Sequence, residues 1–491
     1  MKYGDFSVTM QYSGKEKQMK RKPSSKRFLR PRWSYLYQDS NGMLYIDDYS
    51  VRHIAQKFGT PLHVMIESEL RSRMRRIQRA FPYPKLRIQY AGKNNSNLEI
   101  IRIAREEGME FDASSVGEII LGLLADFEPK QITYTNLYKR EEDIAFAAEV
   151  GVQAITADSM EELKRFERVG AKLKTRIRTF IRVNPLIKLG HYSTKLHQYG
   201  IPYPAVKKAL MFAIKAKHID LVGLHFHGGY IYNPKIYSIA AEKMLKLMKF
   251  CYDNNCRIKF IDLGGGFPVD YNSKSFFIPE DMGERLVKDF NKLLAQYNLP
   301  QPRLIFEPGK FITANSGMAL VKVVSKKMLN KTKVVVVDGS TYGLVPDVLI
   351  YKANYDIIPA TKMNRPIKGK WHIAGCTCDS IDVLGRHREM PELEEDDLLA
   401  IMDCGAYSNV MASNFNTLKR APIVLVKEDG TLKLIRRRDR YSEMFAPELD
   451  ILKFADPNEL RKYYAITRTS LKRLWEGSAA NGELRRRGST R

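Results

Sequence analysis

The chain is short of cysteine, tryptophan and acidic residues, and it has no long apolar run. Its 491 residues include five cysteines and three tryptophans, with 55 Asp and Glu against 81 Lys and Arg. An odd set of five thiols in so long a chain argues against a disulfide framework and fits reduced thiols in a cytoplasmic protein. Cys376 and Cys378 stand as C-x-C with no second Cys or His pair at zinc spacing, so no metal site is expected. The longest apolar stretches, such as the valines of Val334–Val337, are far too short to span a membrane, and the N-terminus has no apolar signal segment. No membrane role is expected.

The shortage of acids leaves a formal charge of +26, which raises the question of nucleic acid. The excess is spread along the chain and is dense only at Lys15–Arg32 (KEKQMKRKPSSKRFLRPR) and Arg461–Arg491. These read as solvated termini too poor in apolar residues to build a core, with RNA, an acidic partner, a membrane surface or a cleaved targeting segment as the weaker alternatives. A hydrophobic content of 44% supports two domains with separate cores.

From Lys85 to Lys310 short β-rich runs alternate with stretches of helical period, the mark of βα units around a parallel sheet. Eight strands are expected, at Leu86–Ala91, Met109–Asp112, Gln131–Thr135, Gln153–Thr156, Arg176–Val183, Leu221–His227, Ile258–Leu263 and Arg303–Glu307. Helical segments follow seven of them, for example Asn97–Glu107 and Ile239–Asn254. Their number and size match a (β/α)8 TIM-type barrel. Beyond about Ile312 the helical period gives way to β-rich runs at Met318–Val324, Lys333–Val337, Leu398–Met402, Ile423–Val426 and Leu432–Arg436. The expected organisation is a basic segment 1–34, a β segment 35–64 that joins the C-terminal domain, a barrel 65–311, a β domain 312–450 and a basic extension 451–491. Asn41-Gly42 marks a hairpin turn in the β segment.

Active sites of such barrels collect at the C-terminal ends of the strands, with phosphate commonly bound after strands seven and eight. Lys93 follows strand one in QYAGKNNSN, Asp112 ends strand two and His227 ends strand six in GLHFHGGY. Gly264, Gly265 and Gly266 follow strand seven in FIDLGGGFP, and Glu307 ends strand eight in LIFEPGK. Alone, each has an ordinary reading: a turn, a lysine reaching solvent, a satisfied core histidine. On one rim they form a set. Successive glycine N–H groups can cradle a phosphate dianion without Cβ interference. A lysine amine can form an imine with an aldehyde cofactor, and burial near positive charge is expected to lower its pKa. A buried Glu307 is stabilised facing a pyridinium N–H, which keeps the ring able to accept electrons from Cα.

At these residues the chain resembles the fold-type III pyridoxal-phosphate decarboxylases, the family of diaminopimelate, ornithine and arginine decarboxylases. The resemblance runs from about Tyr35 to Glu448. It is carried by YAGKNNSN, FDASSVGE, the His227 motif, DLGGGFP, EPGK, GCTCDSIDVLG and CGAYSNVMASNFN. It implies an alanine-racemase-like barrel in which Lys93 holds pyridoxal 5'-phosphate as a Schiff base, Glu307 pairs with the pyridine nitrogen and His227 stacks on the ring. Gly266 and the turn from Glu307 through Gly309 to Lys310 would bind the phosphate, with Asp112 and Tyr407 as further cofactor contacts. It also implies a homodimer in which Cys378 and Asp379 reach the partner's site. There Cys378 would return a proton to Cα and Asp379 would meet a distal ammonium.

The substrate signals are mixed. Family members acting on diaminopimelate usually carry EPGR and a later R-P-x-L-Y, whose arginines can fork onto a carboxylate. Here Lys310 replaces the first arginine, and LVPDVLIY keeps Tyr351 without the second. Tyr230 stands where the family commonly has a serine. DGSTYGLVPDVLIY and Thr377–Asp379 look closer to ornithine decarboxylases, although Lys352 replaces their aspartate. IAQKFGTPLHV and IRRRDRYSEMF look like diaminopimelate decarboxylases. The expected function is decarboxylation of a diamino acid, meso-diaminopimelate to lysine first, with ornithine or lysine of polyamine metabolism as the alternative. Of other classes, an inactive regulatory relative would have lost Lys93 or Cys378, and CDSIDVLG speaks against a racemase.

Overall fold

The computed structural model describes residues 33–455 apart from 196, 270 and 272–277. Most of the basic segments at the two ends lies outside the described residues, but the expected boundaries shift: Trp33 is buried and donates to Asp403 Oδ1 at 2.9 Å, and the helix Ala446–Ala455 crosses 450. Eight parallel strands close into a barrel: β1 (Leu86–Ala91), β2 (Glu110–Ala113), β3 (Ile132–Thr135), β4 (Ala154–Ala157), β5 (Ile177–Asn184), β6 (Ile219–His225), β7 (Phe260–Asp262) and β8 (Arg303–Phe306). Each pairs in parallel with the next, and β8 pairs back to β1. All eight expected strands are present. The sixth ends at His225, two residues before the expected His227, because the chain bends there into the loop that carries the histidine.

Strand alternation explains where the polar rim begins. Ala154, Phe180, Val222, Phe260 and Ile305, one from each of β4 to β8, form an apolar cluster of their own. Two residues further on, the same face carries Thr156, Arg182, Asp262 and Glu307 in β4, β5, β7 and just past β8. The apolar plug thus passes directly into a layer of polar side chains. Helices follow each strand and open on side-chain caps where the sequence supplies them. Asn97 accepts from Glu99 N before Leu98–Glu106, and Ser159 accepts from Glu162 N before Met160–Leu173.

The second sheet is mostly antiparallel and built around Gly317–Leu329, which pairs with Thr332–Val337, Leu398–Ile401 and Leu62–Ile66. Leu62–Ile66 lies between that strand and Ile423–Val426. The hairpin Leu36–Gln38 with Leu44–Ile46 turns at Gly42, whose φ of +81° only glycine adopts freely. Its hydrogen bonds stay within a three-stranded sheet with Tyr49–Ser50, yet Leu36, Leu44 and Ile46 share a core with Met318, Leu320 and Val424 of the larger sheet. Gly369–Ala374 and Val383–Met390 are among the strands that escaped the sequence reading. Among the described residues no helix is long and apolar enough to cross a membrane.

Candidate active site

Lys93 sits in a single 3-10 turn, Gly92–Asn94, directly after β1, and the β1–β2 register sets Ala91 opposite Asp112. This brings Lys93 Nζ to 2.5 Å from Asp112 Oδ2, while Asp112 Oδ1 is buried without a hydrogen-bond partner. Burial pulls the Lys93 ammonium down, but the Asp112 and Glu307 carboxylates outweigh it and hold the group well above the ordinary lysine value. The expectation of a lowered pKa is therefore corrected. The charges facing Lys93 are mainly negative, and the amine is protonated in this state.

Across the barrel mouth, His225 ends β6, Asp262 ends β7 and Glu307 follows β8, all fully or almost fully buried. His225 Nε2 lies 3.1 Å from Glu307 Oε1, and Asp262 Oδ1 accepts the Gly264 N–H at 2.8 Å. One ligand atom from each of the three falls within 4.8 Å of the others. Burial, with Arg182 second, holds His225 well below its ordinary value and keeps it neutral; burial, with Glu307 second, lifts Asp262 well above the carboxylate range. The sequence reading passed over His225 and Asp262. Strand alternation carried a signal for Asp262, which lies two residues after Phe260 as Glu307 lies two after Ile305.

His227, two residues past β6, turns its Nδ1 to accept the Gly265 N–H at 3.1 Å, which leaves the ring proton on Nε2. The three glycines are packed against backbone. A Cβ on Gly266 (φ +99°) would stand 2.1 Å from Gly229 O, and one on Gly265 would stand 2.3 Å from Glu307 O. Gly309 packs less closely, against the Asn94 side chain, whose atoms stand 2.9 Å from where its Cβ would be.

Beside Gly266 opens a cavity of about 350 Å³ lined by Tyr230, Tyr271, Lys310, Tyr351 and Tyr355, among others. Lys310 Nζ donates to Tyr230 Oη at 2.8 Å and lies 3.6 Å from the buried Asp347 Oδ2. It also stands over the rings of Tyr230, Tyr271 and Tyr407 at 4.9, 5.4 and 5.7 Å. The Tyr407 backbone N–H donates to Asn94 O, which ties this ring to the Lys93 turn. Burial pushes the Tyr407 phenol up to about 12, so it stays neutral.

Cys378 and Asp379 belong to the second sheet's loops. The Asn416 side chain accepts from the Cys378 backbone N–H at 3.0 Å and donates to Sγ at 3.3 Å. Asp379 Oδ2 accepts from Tyr342 Oη at 2.5 Å. The geometry thus joins Lys93, Asp112, His227, Gly264–Gly266 and Glu307 on one rim with Lys310, Tyr351 and Tyr407 beside it. The hydrogen bonds of Cys378 and Asp379 go elsewhere within the chain.

Residues 67–314 match the family described as "Pyridoxal-dependent decarboxylase, pyridoxal binding domain". The chain belongs to this family. It is a pyridoxal-phosphate-dependent carboxy-lyase, with relatives that match over most of their length. The diaminopimelate decarboxylase of Methanothermobacter thermautotrophicus is 30% identical over 416 residues, 83% of this chain and 95% of the relative. That of Aquifex aeolicus is 31% identical, covering 84% and 97%. The crystal structure of diaminopimelate decarboxylase from M. jannaschii in complex with L-lysine superimposes with a TM-score of 0.77 at 29% identity, covering 83% and 96%. The decarboxylase's own rim fits the cofactor: a run of glycines too close to neighbouring backbone to admit a Cβ, a lysine, and buried acids with unpartnered oxygens on Asp112 and Asp262.

Proposed function

We propose that this decarboxylase removes CO2 from a diamino acid, meso-diaminopimelate first, to give lysine. The observation that carries the reading is the single rim on which the Lys93 amine, the buried Glu307 carboxylate and the glycines Gly264–Gly266 converge, with a cavity holding the Lys310 amine beside it. Lys93 would hold the cofactor through its amine. Glu307 would face the ring nitrogen, His227 would cover one ring face, Asp112 would orient Lys93, and Gly266 with Gly309 would take the phosphate, since the Gly264 and Gly265 N–H groups are given to Asp262 Oδ1 and His227 Nδ1. When bound, the cofactor supplies the electron sink that stabilises Cα as CO2 departs.

Lys310, with Tyr230, Tyr351 and Tyr407 around it, binds a carboxylate at the distal end of the substrate, and the same lysine borders the phosphate cradle. Cys378 returns a proton to Cα from a partner subunit and Asp379 receives the distal ammonium, which makes the working unit a homodimer with shared sites. All five cysteines are free thiols, which supports a cytoplasmic setting. A second reading, turnover of ornithine or lysine, is favoured by Asp347, which offsets the Lys310 charge from 3.6 Å.

The deciding experiment is CO2 release from meso-diaminopimelate against L- and D-ornithine and L- and D-lysine, with borohydride treatment and peptide mapping of the labelled lysine. Turnover of the first substrate and label on Lys93 are expected. Turnover of only the others would replace the leading reading with the second.

A further inference from the structure

Glu307 lies one residue beyond β8, where its backbone N–H is fixed to Gly264 O at 3.0 Å. Its main chain is therefore positioned, but its side chain still has free torsions and two equivalent oxygens. A buried carboxylate needs donors, and one that must point an oxygen at a fixed target also needs a single orientation.

The donor comes from a strand that does not touch β8. His225 ends β6, β7 lies between, and the register sets His225 opposite Asp262 and Asp262 opposite Ile305. The imidazole reaches across this gap to place Nε2 3.1 Å from Glu307 Oε1, with neither side chain more than 1% exposed. Its other nitrogen, Nδ1, is buried with no hydrogen-bond partner. A histidine that merely filled the core would be expected to satisfy both nitrogens; this one leaves one edge bare and commits the other to Glu307. The neutral ring must then carry its proton on Nε2, since that is the edge facing a carboxylate. Asp262, whose Oδ1 accepts the Gly264 N–H, stands close to both, with one atom of each of the three side chains within 4.8 Å of the others.

We propose that His225 is a positioning residue that fixes Glu307: its Nε2–H occupies Oε1 and turns Oε2 toward the ring nitrogen of the bound cofactor. The inference rests on the reading of Glu307 given above. His225 touches neither substrate nor cofactor and acts only through that carboxylate. His227 is two residues away, yet it serves the glycine loop, so the two histidines of the HFH triplet have separate tasks.

The test compares the holoenzymes of wild type, His225→Leu and His225→Gln. The leucine variant keeps the volume and loses the donor; the glutamine variant restores an N–H within reach of Oε1. For His225→Leu, kcat should fall by about 10- to 100-fold, the range typical when a residue that orients a functional group is removed. KM should change little, and the visible absorption of the bound cofactor should shift. His225→Gln should recover most of both signals. Should the leucine variant fail to fold, His225→Asn, too short to reach Oε1, takes its place. Wild-type kcat and wild-type absorption in the donorless variant would overturn the proposal. So would a holoenzyme that holds a divalent ion on His225, Asp262 and Glu307 and loses activity when the ion is chelated. Failure of the wild-type protein to bind pyridoxal phosphate at all is a separate result, and it would count against the cofactor role of Glu307 instead.

Discussion

Lys93 Nζ and Asp112 Oδ2 meet at 2.5 Å across neighbouring strands of the barrel, and the carboxylate stabilises the ammonium form of the amine proposed to hold the cofactor, which would have to lose a proton to react with an aldehyde. Asp112→Asn removes that stabilisation and lowers the Lys93 pKa. The apoenzyme should then take up pyridoxal phosphate faster at neutral pH, by about tenfold for each unit of pKa lost. Stopped-flow absorbance of reconstitution measures this, and an unchanged rate would show that deprotonation of Lys93 does not limit uptake.

The glycine cradle gives a steric prediction. Gly266 combines a φ of +99° with a backbone oxygen 2.1 Å from where a Cβ would be. Gly266→Ala should cost on the order of 1–3 kcal/mol of local strain. It should weaken pyridoxal phosphate binding by roughly 10- to 100-fold, read as the Kd from fluorescence titration. Gly108, whose Cβ would meet nothing within 4 Å, controls for the backbone angle alone, and Gly108→Ala should leave the Kd unchanged.

Acid stability should depend on His63, in the strand Leu62–Ile66. Burial, with Arg436 second, lowers its pKa from 6.5 to about 4, and its Nε2 has no hydrogen-bond partner. Between those values the unfolded chain binds a proton that the folded chain does not. The contribution is complete above 6.5 and is lost as the pH falls toward 4, for about 3 kcal/mol in total. Urea unfolding of His63→Leu across that range should show a shallower loss than wild type; equal slopes would rule His63 out as the sensor.

The proposed sharing of sites between subunits makes a prediction about mixtures. Lys93→Ala and Cys378→Ala should each be inactive alone, and activity should reappear when the two are unfolded and refolded together. Mixed dimers then contain one site with both residues intact. No recovery would mean that Cys378 serves the site of its own chain.

The barrel was legible because each of its strands is a short apolar run followed by a helix of clear period, as in Leu86–Ala91 and Leu98–Glu106. The rim was legible because Lys93, Gly264–Gly266 and Glu307 stand at the strand ends. The sign of the Lys93 shift was not, since it depends on charges brought in from β2 and β8, which local sequence does not contain. Val383–Met390 was missed because Arg386, His387 and Arg388 interrupt its apolar character, and it holds through pairing with Gly369–Ala374. His225 was hidden beside His227. The separation of the two became visible only where β6 ends.

The strand Leu62–Ile66 has a bearing on how the protein is made. Both of its neighbours, Gly317–Leu329 and Ile423–Val426, leave the ribosome after the whole barrel has been synthesised. Until then an apolar ribbon, LHVMI, waits with both edges open, beside a barrel whose core still lacks Ile423 and Leu425. A chain cut short before Ile423 would keep one of those edges bare permanently, so truncated products should be the ones that clump, whatever the state of their catalytic rim.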